Sequence, residues 1–222
     1  MTINYTRADS KVEITGTEAR HYDFFINLIT GGTYPFFIRQ AVKDMQIRPA
    51  DSILDFGCGT GRNISLMNKY LSAEGRVLGL DIGPEMLEQA ERRFAGDPRI
   101  AIENQRIETP LPYHEEFDKV FISFVLHGLL QEDRLKVIGN ACRALKSGGE
   151  FLILDYNEFD LKRSPWLVRF AFSRECRLAT EFIGRDLQAM LREGGFGGFR
   201  LNTYYRGYVR LLAARKADLD NA

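Results

Sequence analysis

A short apolar run, Ser52-Ile53-Leu54-Asp55-Phe56, breaks off into Gly57-Cys58-Gly59-Thr60-Gly61. A second apolar run, Arg76-Val77-Leu78-Gly79-Leu80, ends in Asp81, 20 residues after Gly61. No other feature of the chain restricts its fold as strongly. Glycines straight after a buried strand let the backbone turn tightly and let a ligand come close. The helix that follows, from about Arg62 to Leu71, points its first N–H groups at that ligand. An acid at the end of the next strand is placed to accept hydrogen bonds from ribose hydroxyls. Together these make a βαβ unit with a ligand site at its carboxyl edge. The plainer alternative is a tight strand–helix turn with a capping Asp, and the whole strand–loop–helix–strand–acid context weighs against it.

The rest of the chain keeps the same alternation. Tyr34–Met45 reads as a helix with Pro35 in its first turn and Phe37, Ala41 and Met45 on one face. Arg48-Pro49 ends it. Pro84 opens another helix, with Met86, Leu87, Ala90 and Phe94 together. Strands are expected at Arg99–Glu103, Lys119–Phe124 and Glu150–Asp155. A helix near Asp133–Leu145 presents Leu135, Ile138, Cys142 and Leu145, and Gly148-Gly149 stop it. After a helix near Gly184–Arg192, closed by Gly194-Gly195, Phe199–Tyr205 and Tyr208–Arg215 flank Arg206-Gly207 as an antiparallel hairpin. The fold class expected is α/β, a doubly wound, mostly parallel seven-stranded sheet of Rossmann-like type. Its near-continuous apolar strands suit a sheet covered on both faces. Residues 1–16 read as a flexible arm and 17–222 as a single domain. Within it, 17–48 form leading helices and 156–183 an insertion above the ligand edge, in the position of a lid.

Composition excludes several function classes. With 30 basic and 30 acidic side chains, the chain lacks the basic excess of a general nucleic-acid binder. At 45% hydrophobic and 27% charged residues, it reads as globular rather than disordered. No apolar run approaches the roughly 20 residues of a membrane span, and the polar start MTINYTRADSKVEITG does not resemble a signal peptide. Cys58, Cys142 and Cys176 are far apart and form no CxxC, so neither a disulfide framework nor a zinc site is expected. A cytoplasmic, reducing setting fits best.

Two ligand classes compete for the glycine loop. Dinucleotide enzymes carry G-x-G-x-x-G, whereas this chain has G-x-G-x-G preceded by Asp55. That pattern resembles motif I of the class I S-adenosylmethionine (SAM) methyltransferases. Asp81 matches their ribose-binding acid, and a closing antiparallel hairpin is a mark of that family. The resemblance implies SAM as cofactor, with Asp55, Phe56, Gly57, Cys58, Gly59 and Gly61 around it, Asp81 on the ribose and Ile82 against the adenine. The family's usual acid after the third strand is absent here. The Gln105 amide oxygen and the N–H of Arg106 or Ile107 are the groups that stand in its place. The run His21–Gly32 is similar to the N-terminal signature of the ubiquinone/menaquinone biosynthesis C-methyltransferases, where Tyr22 covers the methionine end of SAM. The likeness continues through 145–159 and 191–216. It departs at Val125-Leu126-His127, where those enzymes commonly show Arg-Asn, and residues 160–180 have no match. It implies methyl transfer to a small, aromatic or lipid-like molecule. The alternatives are an amine or phospholipid-headgroup N-methyltransferase, or a SAM-binding protein without transferase activity.

Methyl transfer from a sulfonium is an in-line displacement, for which positioning supplies much of the catalysis. A base is needed only when the acceptor loses a proton. His127 is the candidate base, because it follows the strand Lys119–Phe124 at the edge where open sheets hold ligands. The plain alternative is a histidine that braces the strand end. His21 and His114 read as surface or loop residues. Tyr156, Trp166 and Phe170 are candidate acceptor contacts, with Phe172 part of the same apolar lid. Simple helix packing is the plainer reading of those rings. Lys162, Arg163, Arg169, Arg174 and Arg177 form a solvated basic face. Interleaved with aromatics, that face also suits a peripheral contact with anionic lipid. Oligomeric state is not legible in the sequence.

Overall fold

Ser52–Phe56 (β1) is buried at all five positions, and the sheet is built outward from it. The structure, a computed structural model, describes residues 33–217. The arm 1–16, His21, Tyr22 and the first part of the leading helices lie outside the described residues. In chain order the elements are α1 (Tyr34–Asp44), β1, α2 (Arg62–Met67), β2 (Arg76–Asp81), α3 (Pro84–Phe94), β3 (Ile100–Asn104), β4 (Phe117–Ser123) and α4 (Gln131–Ala144). They continue with β5 (Leu145–Tyr156), α5 (Trp166–Phe172), α6 (Arg177–Phe182), α7 (Leu187–Glu193), β6 (Phe196–Tyr204) and β7 (Val209–Lys216).

The seven strands form one sheet in the order β3-β2-β1-β4-β5-β7-β6. The first five are parallel, with Phe56 opposite both Leu80 and Ile122. β7 pairs antiparallel with β5, and β6 with β7. The chain winds from β1 outward to β3 and then crosses to β4. This opens a crevice between β1 and β4 at their carboxyl ends, the place where such sheets hold ligands.

Successive strand residues point to opposite faces, and each face carries its own core. Leu54, Phe56, Leu80, Val120, Ile122, Ile153 and Leu212 pack with Val137, Ile138 and Ala141 of α4 and with Leu187 and Leu191 of α7. Ile53, Val77, Phe121, Leu152 and Leu211 pack beneath α1, through Phe37, Ile38, Ala41 and Val42, and beneath α2, through Ile64 and Met67.

Three local expectations change. Leu135 of α4 is exposed, while its neighbour Arg134 is fully buried, because a cluster of backbone carbonyls takes up the guanidinium. Gly148-Gly149 do not stop α4, which ends at Ala144. They sit inside β5, in a bulge where the register against β4 shifts. α7 starts at Leu187 because Asp186 caps it, its carboxylate accepting the Ala189 N–H at 2.9 Å.

Candidate active site

The crevice is walled on one side by the glycine loop. Gly57, Gly59 and Gly61 hold φ of +74°, +54° and +75°, the left-handed region that favours glycine. The N–H groups of Gly57 and Cys58 both donate to the Leu80 carbonyl, at 2.8 and 2.9 Å, and tie the loop to β2. A β-carbon on Gly57 would lie 2.7 Å from Val125 Cγ2, so the loop presses directly on the β4–α4 connection. A β-carbon on Gly59 would meet nothing within 4 Å. That side of the loop is open.

Two carboxylates stand behind it. Asp81 Oδ1 accepts the N–H groups of Ile82 and Gly83, each at 2.8 Å, and Oδ2 accepts that of Gly59 at 2.8 Å. A carboxylate has about four acceptor positions, so Oδ2 keeps one for an incoming hydroxyl. Asp55 is 1% exposed, and neither of its oxygens has a partner among the described residues. Burial, and then the charge of Asp81, push its carboxyl up to about 8. The Cys58 thiol is also pushed up, by burial and by both acids. The side chains of Phe56 and Cys58 are buried in the packing, not turned towards the open face of the loop. Ile82 is half-buried beside Asp81. The turn after β3 is braced next to it: the Gln105 N–H donates to the Asp81 carbonyl at 3.0 Å. Arg106 pairs with Glu108 at 2.8 Å. Ile107 is buried, and its carbonyl accepts from Asn140 Nδ2 at 2.7 Å.

These features fit the methyl donor that the glycine-loop resemblance implies. The open loop face leaves room for a ligand, Asp81 keeps an acceptor position suited to a hydroxyl, and a buried carboxyl with no partner among the described residues suits a cationic amino group. Of the cofactor contacts expected from the sequence, Tyr22 alone lies outside the described residues.

The other wall carries His127. It sits in a 3-10 turn, Leu126–Gly128, straight after β4. Its Nδ1 lies 2.7 Å from Asp155 Oδ1, and its backbone N–H donates to Asp155 Oδ2 at 3.1 Å. Asp155, at the carboxyl end of β5, is 1% exposed. Burial pushes the imidazole down, but the charges of Asp155 and Glu175 outweigh it, and the net direction is up. With Nδ1 held by the carboxylate, Nε2 is the ring nitrogen without a hydrogen bond among the described residues. Glu175 and Cys176 bring a carboxylate and a thiol within 4.8 Å of the imidazole and of each other. Glu175 Oε1 accepts the Tyr156 O–H at 2.8 Å. Arg134 clamps the turn from below. Its guanidinium donates to the carbonyls of Leu126, His127 and Leu178 at 3.1, 3.0 and 3.2 Å, and it pairs with Glu181 of α6.

Aromatic rings surround this dyad. Tyr156 lies 4.8 Å from the His127 ring, 4.8 Å from Phe172 and 5.9 Å from Phe124, centroid to centroid. Phe124 in turn meets Phe37 of α1 at 6.3 Å. Tyr156 and Phe172 are therefore brought to His127. Trp166 and Phe170 are not: they stand on the outer face of α5, 69% and 55% exposed. The sequence reading missed Asp155, Glu175, Arg134, Phe124 and Phe37. Asp155 carried a signal, since it ends the buried run Glu150–Asp155 just as Asp81 ends β2.

A family model described as "Methyltransferase domain" matches residues 47–195. The chain is 30% identical over 158 residues to a demethylmenaquinone methyltransferase of Symbiobacterium thermophilum, covering 69% of this chain and 60% of that protein. It is 32% identical over 170 residues to a ubiquinone/menaquinone biosynthesis C-methyltransferase of Methylococcus capsulatus, covering 75% of this chain and 66% of that one. It thus spans somewhat under two thirds of the length of these relatives. Among solved structures it resembles a SAM-dependent methyltransferase from Aquifex aeolicus, with a TM-score of 0.63 at 18% identity, covering 81% of this chain and 89% of that one.

Proposed function

This chain belongs to the SAM-dependent methyltransferase family, and we propose on that premise that it methylates a small aromatic acceptor that gives up a proton to His127. When bound, the donor would supply a sulfonium methyl group: the acceptor's nucleophilic atom would bond to the methyl carbon in line as the carbon–sulfur bond breaks and a neutral thioether leaves. The chain's own residues do the rest. The free acceptor position of Asp81 holds a ribose hydroxyl. Asp55, whose oxygens have no partner among the described residues, would ionise against the donor's amino group. His127 Nε2 takes the proton from an acceptor hydroxyl or ring carbon as the new bond forms. Asp155 keeps the imidazole in the tautomer that leaves Nε2 free and stabilises the imidazolium that results. Glu175 adds negative charge on the same side.

The observation that carries this reading is the half-buried His127 held by the buried Asp155 beside an aromatic wall, at the crevice shared with the glycine loop. Phe124, Tyr156 and Phe172 suit a planar apolar ring. The names of the relatives point the same way, towards a demethylated quinol. The test is methyl transfer from labelled SAM to three acceptors: a short-chain demethylmenaquinol, a catechol and phosphoethanolamine. Label in a ring acceptor is expected. Label in phosphoethanolamine alone supports the N-methyltransferase alternative. Calorimetric SAM binding with no transfer to any acceptor supports a binding protein and overturns the proposal.

A further inference from the structure

The insertion between β5 and α7 has an unusual outer surface. In α5 the inward residue Phe172 is 7% exposed and packs on Tyr156 and Phe159. On the outward side Trp166, Leu167 and Phe170 are 69%, 60% and 55% exposed. At 100° per residue these three fall within one arc of the helix. Buried and exposed apolar residues thus occupy opposite faces of the same short helix. Large side chains bared in one cluster mark an interaction surface rather than ordinary scatter.

The charge around the cluster selects the partner. Lys162, Arg163, Arg169, Arg174 and Arg177 are all exposed within the same stretch. Within residues 160–180 the acids are Asp160, which pairs with Arg163 at 3.4 Å, and Glu175, which turns inward to Tyr156; Glu158, just before the stretch, pairs with Arg210. The whole chain is neutral, so this excess is local. Apolar side chains ringed by cations are complementary to a bilayer that offers acyl chains beneath anionic headgroups. A second protein copy would instead bring the same cations face to face. Among the described residues no helix is long and apolar enough to cross a membrane, so the contact is peripheral.

We infer that this face docks on the surface of an anionic phospholipid bilayer, with Trp166, Leu167 and Phe170 inserted at the headgroup–acyl boundary. The docked helix is the one whose other face meets Tyr156 and, through it, His127. An apolar acceptor dissolved in the bilayer therefore has a short route to the site. That consequence rests on the methyl-transfer reading, but the docking itself does not.

Trp166 is the chain's single tryptophan, so its fluorescence reports the contact directly. The full chain is titrated, without SAM or acceptor, with phosphatidylcholine vesicles that contain or lack phosphatidylglycerol. A blue shift, and quenching by lipids brominated in the acyl chain, are expected with the anionic vesicles. Each basic side chain near such a surface contributes about fivefold in partition. Lys162→Gln, Arg163→Gln and Arg169→Gln together should weaken binding about a hundredfold at low salt. Leu167→Ser with Phe170→Ser, which leaves Trp166 in place, should weaken it about tenfold or more. All these positions are exposed, so unchanged circular dichroism is expected and separates lost docking from lost folding. The inference is overturned if neither vesicle shifts the emission, or if both variants bind as the wild type does. It is equally overturned if sedimentation shows a dimer that Leu167→Ser with Phe170→Ser dissolves, which would make a second copy the occupant. Because no methyl donor is present, failure of docking leaves the catalytic reading untouched, and success does not prove it.

Discussion

Replacing Asp55 by Asn should make the protein more stable and a poorer binder of SAM. In the folded chain the carboxyl is buried with no partner among the described residues and is pushed up from an ordinary 3.8 to about 8, chiefly by burial. The folded state therefore keeps a proton that the unfolded chain releases, and stability falls as pH rises from 3.8 to 8. At pH 7.5 the penalty is on the order of 5 kcal/mol, and at pH 5 it is about 2 kcal/mol. The wild type should thus lose about 3 kcal/mol between those two pH values through this one group. That is a large share of the roughly 5–15 kcal/mol that holds a domain together. Asn has the same shape and no proton to lose, so the variant should not show this loss. Urea unfolding of both proteins at pH 5 and 7.5 measures the difference, and other titrating groups cancel in the comparison. Calorimetry should show the variant binding SAM more weakly, because the carboxyl that ionises against the donor's amino group is gone. Parallel pH curves for the two proteins would refute the reasoning. They would mean that Asp55 is charged and paired in the fold, and that nothing is held in reserve for a ligand.

Other perturbations test the remaining parts of the site. Asp155→Asn removes the charge that holds the imidazole up, so the rising limb of kcat/KM against pH should move to lower pH, since His127 works as a base only when neutral; an unmoved limb would detach the pair from the reaction. Arg134→Met leaves three carbonyls and Glu181 without the guanidinium and should cost about 3–5 kcal/mol in urea unfolding; a change below about 1 kcal/mol would show that the clamp is not needed. Gly79→Ala puts a β-carbon 2.8 Å from both Cys58 Sγ and Ile64 Cδ1, and should destabilise by about 1–3 kcal/mol, with part of the loss recovered when Cys58→Ala is added. Asp81→Ala should lower calorimetric SAM affinity by about tenfold or more, and an unchanged affinity would remove it as the ribose acid.

The fold was legible where the determining interactions are local. β1, the glycine loop and β2 were readable because an apolar run, a turn that needs glycine and a strand-end acid all lie within 30 residues. The closing hairpin was readable for the same reason. Arg134 was not. In a pattern of apolar and polar positions it belongs outside and Leu135 inside, yet the carbonyls of Leu126, His127 and Leu178 come together only in the folded chain and reverse the order. His127 stands out as a candidate from its place after β4, but its partner depends on β4 and β5 lying side by side, which spacing alone does not give. Glu175 reaches the imidazole only because α5 and α6 fold back over the sheet edge. The same folding decides which aromatics of the insertion approach His127: Phe172 packs on Tyr156, while Trp166 and Phe170 face outward.

The central claim is that His127 takes the acceptor's proton at a site loaded with SAM. It is tested most directly by transfer of labelled methyl to a ring acceptor, compared between the wild type and His127→Ala at saturating SAM. Turnover should fall by about a hundredfold or more, while the KM for SAM stays as it was. Turnover equal to that of the wild type would contradict the claim and leave His127 as a brace of the strand end.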